Sequence, residues 1–169
     1  PSSPSWAVSA CRTAAAPAGI GTHVIEARNT FQQDMPAIRT AVHAGGTVYA
    51  IFYRWTAGNA PNTVCDVIVV RDSAWGAGAA PFTALTDPSD AVAGRIVAAG
   101  RAVPAFGASL GQNRLVASNL SIAVNPADAR DVWIAWADSN ATSRYTLHVR
   151  RSTDSGANWT ALSVTVSTT

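Results

Sequence analysis

The stretch Ser152-Thr153-Asp154-Ser155-Gly156-Ala157-Asn158-Trp159 decides the fold. Two runs that alternate as strands do flank it, Tyr145–Arg151 before and Thr160–Val166 after. A short loop of Asp, Ser, Gly and Asn between such runs predicts a β-hairpin. Asp154 can accept hydrogen bonds from backbone N–H groups of its own turn. Gly156 can take a positive φ without steric cost. Trp159 re-enters the next strand with a ring large enough to cover the turn.

Working outward, the same order of elements occurs twice. Val48-Tyr49-Ala50-Ile51-Phe52 lies over Val132-Trp133-Ile134-Ala135-Trp136 at an offset of 84, 132 against 48. Val67-Ile68-Val69 lies over Leu147-His148-Val149, and Gly76 over Gly156, both at an offset of 80. Loop insertions and deletions produce small differences of this kind. The chain therefore carries two copies of one four-strand unit. In the first copy the motif has decayed in its letters, with Ala74 in place of the Asp and Ala79 in place of the Trp.

The expected fold class is all-β, built from four-stranded antiparallel sheets. Residues 1–33 read as an extended entry segment rich in Ala, Pro, Ser and Gly, with edge strands at Trp6–Ser9 and His23–Ala27. Residues 34–85 form the first repeat, with strands over Ala37–His43, Val48–Trp55 and Val64–Arg71, then Pro81–Leu85 after the turn. Residues 86–118 read as a long inserted loop, and loops of that length are usually functional or disordered. It carries Arg95, Arg101, Gln112, Asn113 and Arg114, a polar set able to bind a glycan or a partner. Residues 119–169 form the second repeat, with strands over Asn119–Val124, Val132–Ala137 and Tyr145–Arg151 before the intact motif.

Composition narrows the function classes. Hydrophobic residues make up 48% of the 169 and are ample for a core, whereas charged residues make up only 13%, against about 25% in ordinary globular chains. All 12 basic residues are Arg, and they are scattered. A net charge of +2 argues against nucleic acid as a partner. No run approaches the ~18 apolar residues of a membrane helix. The opening Pro1-Ser2-Ser3-Pro4 lacks a charged-then-apolar start, which reads as a processed or truncated beginning. Cys11 and Cys65 permit one disulfide or two free thiols. His23, His43 and His148 lack metal-ligand spacing. No cofactor is expected. Asp128, Asp131 and Asp138 lack the regular loop of a calcium hand and leave only a weak case for calcium held by loop oxygens.

The pattern S-x-D-x-G-x-x-W, at Ser152, Asp154, Gly156 and Trp159, resembles the Asp-box, the BNR repeat of sialidases and related β-propellers. The likeness spans roughly residues 34–166 and is specific at this second motif. It implies that the motif closes the hairpin between the third and fourth strands of a blade, away from the substrate. It also implies a secreted, extracellular or periplasmic protein, and about two blades of a six- or seven-bladed propeller. Two blades cannot close a ring, and each blade hides its faces only against neighbours. The family's first blade carries Arg-Ile-Pro, whose Arg grips the substrate carboxylate. Here Asp34-Met35-Pro36 stands instead, and an anionic Asp34 would repel that carboxylate. The resemblance thus implies a module that binds carbohydrate or an extracellular protein without catalysis of its own. Two alternatives remain: part of an exo-sialidase-type glycoside hydrolase with catalytic residues elsewhere, or a structural protein that self-associates through exposed strand edges. The candidate ligand residues are Asp34, Arg39, Arg54, Trp55, Trp75 and Arg114. Trp55 stands at a strand end and Trp75 in a turn, where an indole can stack on a sugar ring. The competing roles are inter-blade core for the aromatics and solvated packing for the arginines.

Overall fold

The computed structural model describes residues 7–10, 21–28, 38–59, 62–77, 79–104, 120–139 and 145–162. They form ten strands: β1 (Ala7–Ala10), β2 (Gly21–Val24), β3 (Arg39–Val42), β4 (Val48–Asn59), β5 (Asn62–Asp72), β6 (Arg95–Pro104), β7 (Ser121–Asn125), β8 (Asp128–Ser139), β9 (Tyr145–Ser152) and β10 (Thr160–Leu162). β1 and β2 pair as a two-stranded sheet. The other eight make two four-stranded sheets in chain order, β3-β4-β5-β6 and β7-β8-β9-β10. Every pairing within them is antiparallel. The chain is all-β, as its alternating Val, Ile and aromatic runs require. Among the described residues no helix is long and apolar enough to cross a membrane.

One element differs from the sequence expectation. The span read as an inserted loop, 86–118, supplies β6 at Arg95–Pro104, the fourth strand of the first sheet. Pro81–Leu85 forms no strand, and Phe82 sits at a positive φ of 62° with its ring buried. β6 escapes a period-2 reading because its register against β5 shifts twice, between Cys65 and Val67 and between Val67 and Ile68. Gly100 and several alanines dilute what alternation is left.

The two large sheets pack face to face, and the main core lies between them. The first sheet contributes Tyr49, Ile51, Tyr53, Trp55, Cys65, Val67 and Val69. The second contributes Val132, Ile134 and Trp136. Those last three correspond by the repeat to Val48, Ala50 and Phe52, which lie on the other face of the first sheet. The sheets therefore stack in the same sense, front of one on back of the next. Polar contacts fix the stack at its turn end: the Tyr49 hydroxyl donates to Ala129 O at 2.7 Å, and Arg71 Nη1 donates to Ser155 O at 2.9 Å. The back of the first sheet is covered by Ile25 and Phe82. Arg28 ties that covering segment down, donating to Asp90 and to the carbonyls of Val92, Ala93 and Gly94.

The motif turn is built twice. Ser152 Oγ accepts the N–H groups of Asp154 at 3.4 Å and Gly156 at 2.8 Å. In the first sheet Asp72 Oδ1 accepts those of Ala74 and Gly76, both at 2.7 Å. Ser155 and Trp75 sit at φ 63° and 61°, each followed by a glycine at positive φ. Each donates its N–H to a carbonyl two residues before β-strand positions 132 and 48, Ser155 to Arg130 O and Trp75 to Gly46 O. The first copy has lost the motif's letters and kept its geometry, because any well-placed oxygen can gather the same two N–H groups.

Cys65 is buried in the core as a free thiol, so the disulfide that the cysteine count permitted is not formed at this residue. Burial pushes its pKa up to about 11. Cys11 lies outside the described residues.

Candidate functional site

At the strand ends opposite the motif turns, β6, β8 and β9 bring together Arg101, Asp138, Trp136 and His148, and Arg150 lies on the motif side of Trp136, two residues before Ser152. The register explains the convergence. Trp136 lies opposite His148 and Ile134 opposite Arg150, so alternation sends all of these side chains to the inner face of the second sheet. Arg101 lies opposite Cys65, on the face of the first sheet that meets them.

Asp138 is the buried centre of the cluster. It accepts from Arg101 Nε, pairs through Oδ1 with His148 Nε2 at 2.9 Å and accepts from Trp136 Nε1 at 3.3 Å. Burial works to raise its pKa, but the hydrogen bonds from Arg101 and His148 outweigh it and hold the carboxyl below its ordinary value. The ionised Asp138 thus orients both groups. His148 stacks on Trp136 with ring centroids 4.9 Å apart, and the Arg150 guanidinium lies 5.5 Å from the centre of the same indole. Arg101 and His148 remain partly exposed at the rim. Two guanidiniums, Arg101 on Asp138 and Arg150 beside Trp136 with a donation to Val97 O, stand against one carboxylate and leave the cluster net positive. Such a rim can hold a carboxylate or other anionic group by charge-assisted hydrogen bonds.

The residues singled out from sequence fall elsewhere. Trp75 is 47% exposed at the motif-turn end. Arg39 is exposed on β3 and donates to Ile38 O at 3.3 Å. Arg54 and Trp55 are neighbours on β4 and so point to opposite faces. Arg54 is ion-paired with Asp66, and Trp55 is buried with its indole N–H donating to Ala57 O at 2.9 Å. Asp34 and Arg114 lie outside the described residues. The four described candidates are not gathered into one site. The rim cluster had a faint signal, Trp136-x-Asp138 beside His148-x-Arg150, which becomes legible only once the β8–β9 register is known.

The three aspartates weighed for calcium serve separate tasks. Asp128 caps the Arg130 N–H, Asp131 pairs with Arg151, and Asp138 sits in the rim cluster. Among the described residues no group of three or more His, Cys, Asp or Glu side chains could hold a metal ion. A cleft of about 270 Å³ lies beside the second motif, lined by Arg151, Thr153, Asp154, Asn158, Trp159 and Thr160. Burial opposes ionisation of Asp154. Its bonds from the Asn158 N–H, the Asn158 amide and the Ser152 hydroxyl prevail and bring its pKa to about 2.

No family model, no curated protein and no solved structure matches this chain.

Proposed function

We propose that the chain is a sialidase-like β-propeller portion, two blades in extent, that acts outside the cytoplasm as a binding module for an anionic glycan. The carrying observation is the pairing of Arg101 and His148 with Asp138 at the strand ends opposite both motif turns, with the Arg150 guanidinium beside Trp136 adding positive charge. In the family that the motif resembles, the Asp-box lies away from the substrate, which points to this rim as the ligand side. The blade reading draws support from two antiparallel four-strand meanders stacked in the same sense. Hydrolysis is not part of the proposal: the two carboxylates near the rim, Asp66 and Asp138, are each engaged by an arginine.

Calorimetric titration with sialyllactose and with a glucuronic acid disaccharide tests the reading, alongside a fluorogenic sialoside. Binding without turnover is expected. Arg101→Gln should weaken that binding tenfold or more and leave the core intact. Absence of binding by the wild-type chain to both sugars defeats the proposal, and turnover of the sialoside would favour the hydrolase alternative.

A further inference from the structure

We propose that His148 is a proton-coupled positioning residue for the anion site at Arg101: an anion held on the outer edge of the Arg101 guanidinium draws a proton onto the His148 ring, so binding takes up a proton and tightens as pH falls. This deepens the reading of the rim as an anion site and rests on it.

His148 Nε2 faces two groups with opposite demands. It lies 2.9 Å from Asp138 Oδ1 and 3.2 Å from Arg101 Nη2. The ionised carboxylate only accepts and the guanidinium only donates. One ring nitrogen cannot answer both. A bare Nε2 accepts from Arg101 and turns its lone pair to the carboxylate. A protonated Nε2 donates to Asp138 and meets the Arg101 N–H donor to donor. The imidazolium adds like-charge repulsion from Arg101 to that clash. The stack on Trp136, with centroids 4.9 Å apart and planes at 16°, holds the ring in this position. Asp138 is fixed as well, since Oδ2 accepts from Arg101 Nε and from Trp136 Nε1.

Arg101 is the partner that a ligand can reach. Its side chain is partly exposed, and Nη1 makes no hydrogen bond among the described residues. Nε is committed to Asp138, which leaves the Nη1–Nη2 edge for a ligand. That edge fits a carboxylate or a sulfate through two parallel N–H bonds. An anion there offsets the positive field of Arg101 at the imidazole, and the main obstacle to the imidazolium falls. A proton from solvent completes the ring, and Nε2–H donates to Asp138 Oδ1, the acceptor already in place. The charged groups facing His148 are Asp138 from β8 and Arg101 from β6, with Arg150 on its own strand beside the same indole. Asp138 stays ionised near neutrality, since its carboxyl is held below its ordinary value despite burial. Arginines keep their charge throughout, and imidazole is the side chain whose charge changes between about pH 5 and 8. Coupling of this kind is reciprocal: if the anion favours the proton, the proton favours the anion equally.

Calorimetric titration of the full chain with sialyllactose and with inorganic sulfate, in buffers of different ionisation enthalpy, reads the proton directly. Both ligands stay anionic across the window, so any pH dependence belongs to the protein. Proton uptake on binding is expected, with affinity rising about fivefold or more from about pH 8 to about pH 5.5. His148→Gln keeps a planar polar side chain that does not titrate, and it should flatten that profile. His43→Gln should retain it, because His43 sits at the motif-turn end, where Nδ1 accepts from the Gly45 N–H. Binding without proton uptake overturns the proposal and leaves the anion site standing. So does an unchanged profile in His148→Gln; if that variant fails to fold, uptake by the wild-type chain decides alone. If sialyllactose does not bind, the ring-nitrogen NMR shifts of His148 during the sulfate titration decide. Movement toward the imidazolium upholds the coupling while the glycan reading fails, and no movement overturns the coupling too.

Discussion

The two large sheets are built from the same elements in the same order, yet they stand in different surroundings. The first is covered on both faces, by the second sheet in front and by Ile25 and Phe82 behind. Among the described residues the second is covered on one face only. Tyr49 and Trp133 occupy equivalent positions, one at zero exposure and one at 38%. Identical local geometry therefore carries unequal energetic weight, because burial and not the strand itself supplies most of the stabilisation.

The largest expected effect comes from that pair. Tyr49→Ala should cost about 3–5 kcal/mol, the range for removing a buried aromatic ring, and it also leaves the Ala129 carbonyl without its 2.7 Å donor. Trp133→Ala should cost under about 1 kcal/mol, as for a partly exposed residue. Urea denaturation midpoints of both variants check this. Equal losses would mean that the second sheet's front face is covered in solution.

A smaller effect separates the two turns. Asp72→Ala should cost about 2 kcal/mol, since it strands the buried Gly76 N–H. Asp72→Ser should recover roughly half, because a hydroxyl does this work at the equivalent Ser152. If thermal unfolding finds Asp72→Ser as damaging as Asp72→Ala, the turns are not chemically interchangeable.

The smallest effect is a slope in pH. Asp154 titrates at about 2 when folded, below the ~3.9 of an unfolded aspartate. Between those values the unfolded chain binds more protons. The contribution is therefore complete above about pH 4 and is lost as pH falls toward 2. Asp154→Asn should flatten the stability profile in that window, lowering stability near neutrality and converging on the wild type as pH approaches 2. Asp154 is partly exposed to solvent, so screening keeps the change modest. An equally steep acid limb in the variant would remove Asp154 from the account.

Much of the fold was legible in the sequence. Alternation marked β4, β5, β8 and β9, and the repeat between residues 48 and 132 announced two similar sheets. Those signals are local, carried by side chains two residues apart or by turn residues next to one another. β6 was not legible, because its pairing with β5 shifts register twice and breaks the period. The rim cluster was less legible still. Arg101, Asp138 and His148 come from three strands, and only the pairing of Trp136 with His148 and the packing of β6 on β8 bring them into contact.

Ser152–Trp159 determined by itself that a hairpin forms there, since Ser152, Asp154 and Gly156 act within a few residues of each other. Sequence also determined that the unit occurs twice. It did not determine that Asp72 would reproduce the turn, because the requirement is an oxygen in place and not a given letter. Nor did it determine which faces would be sealed. Alternation assigns side chains to two faces of a strand, but cover is decided by what packs there. Only the tertiary structure places Tyr49 under a second sheet and leaves Trp133 open.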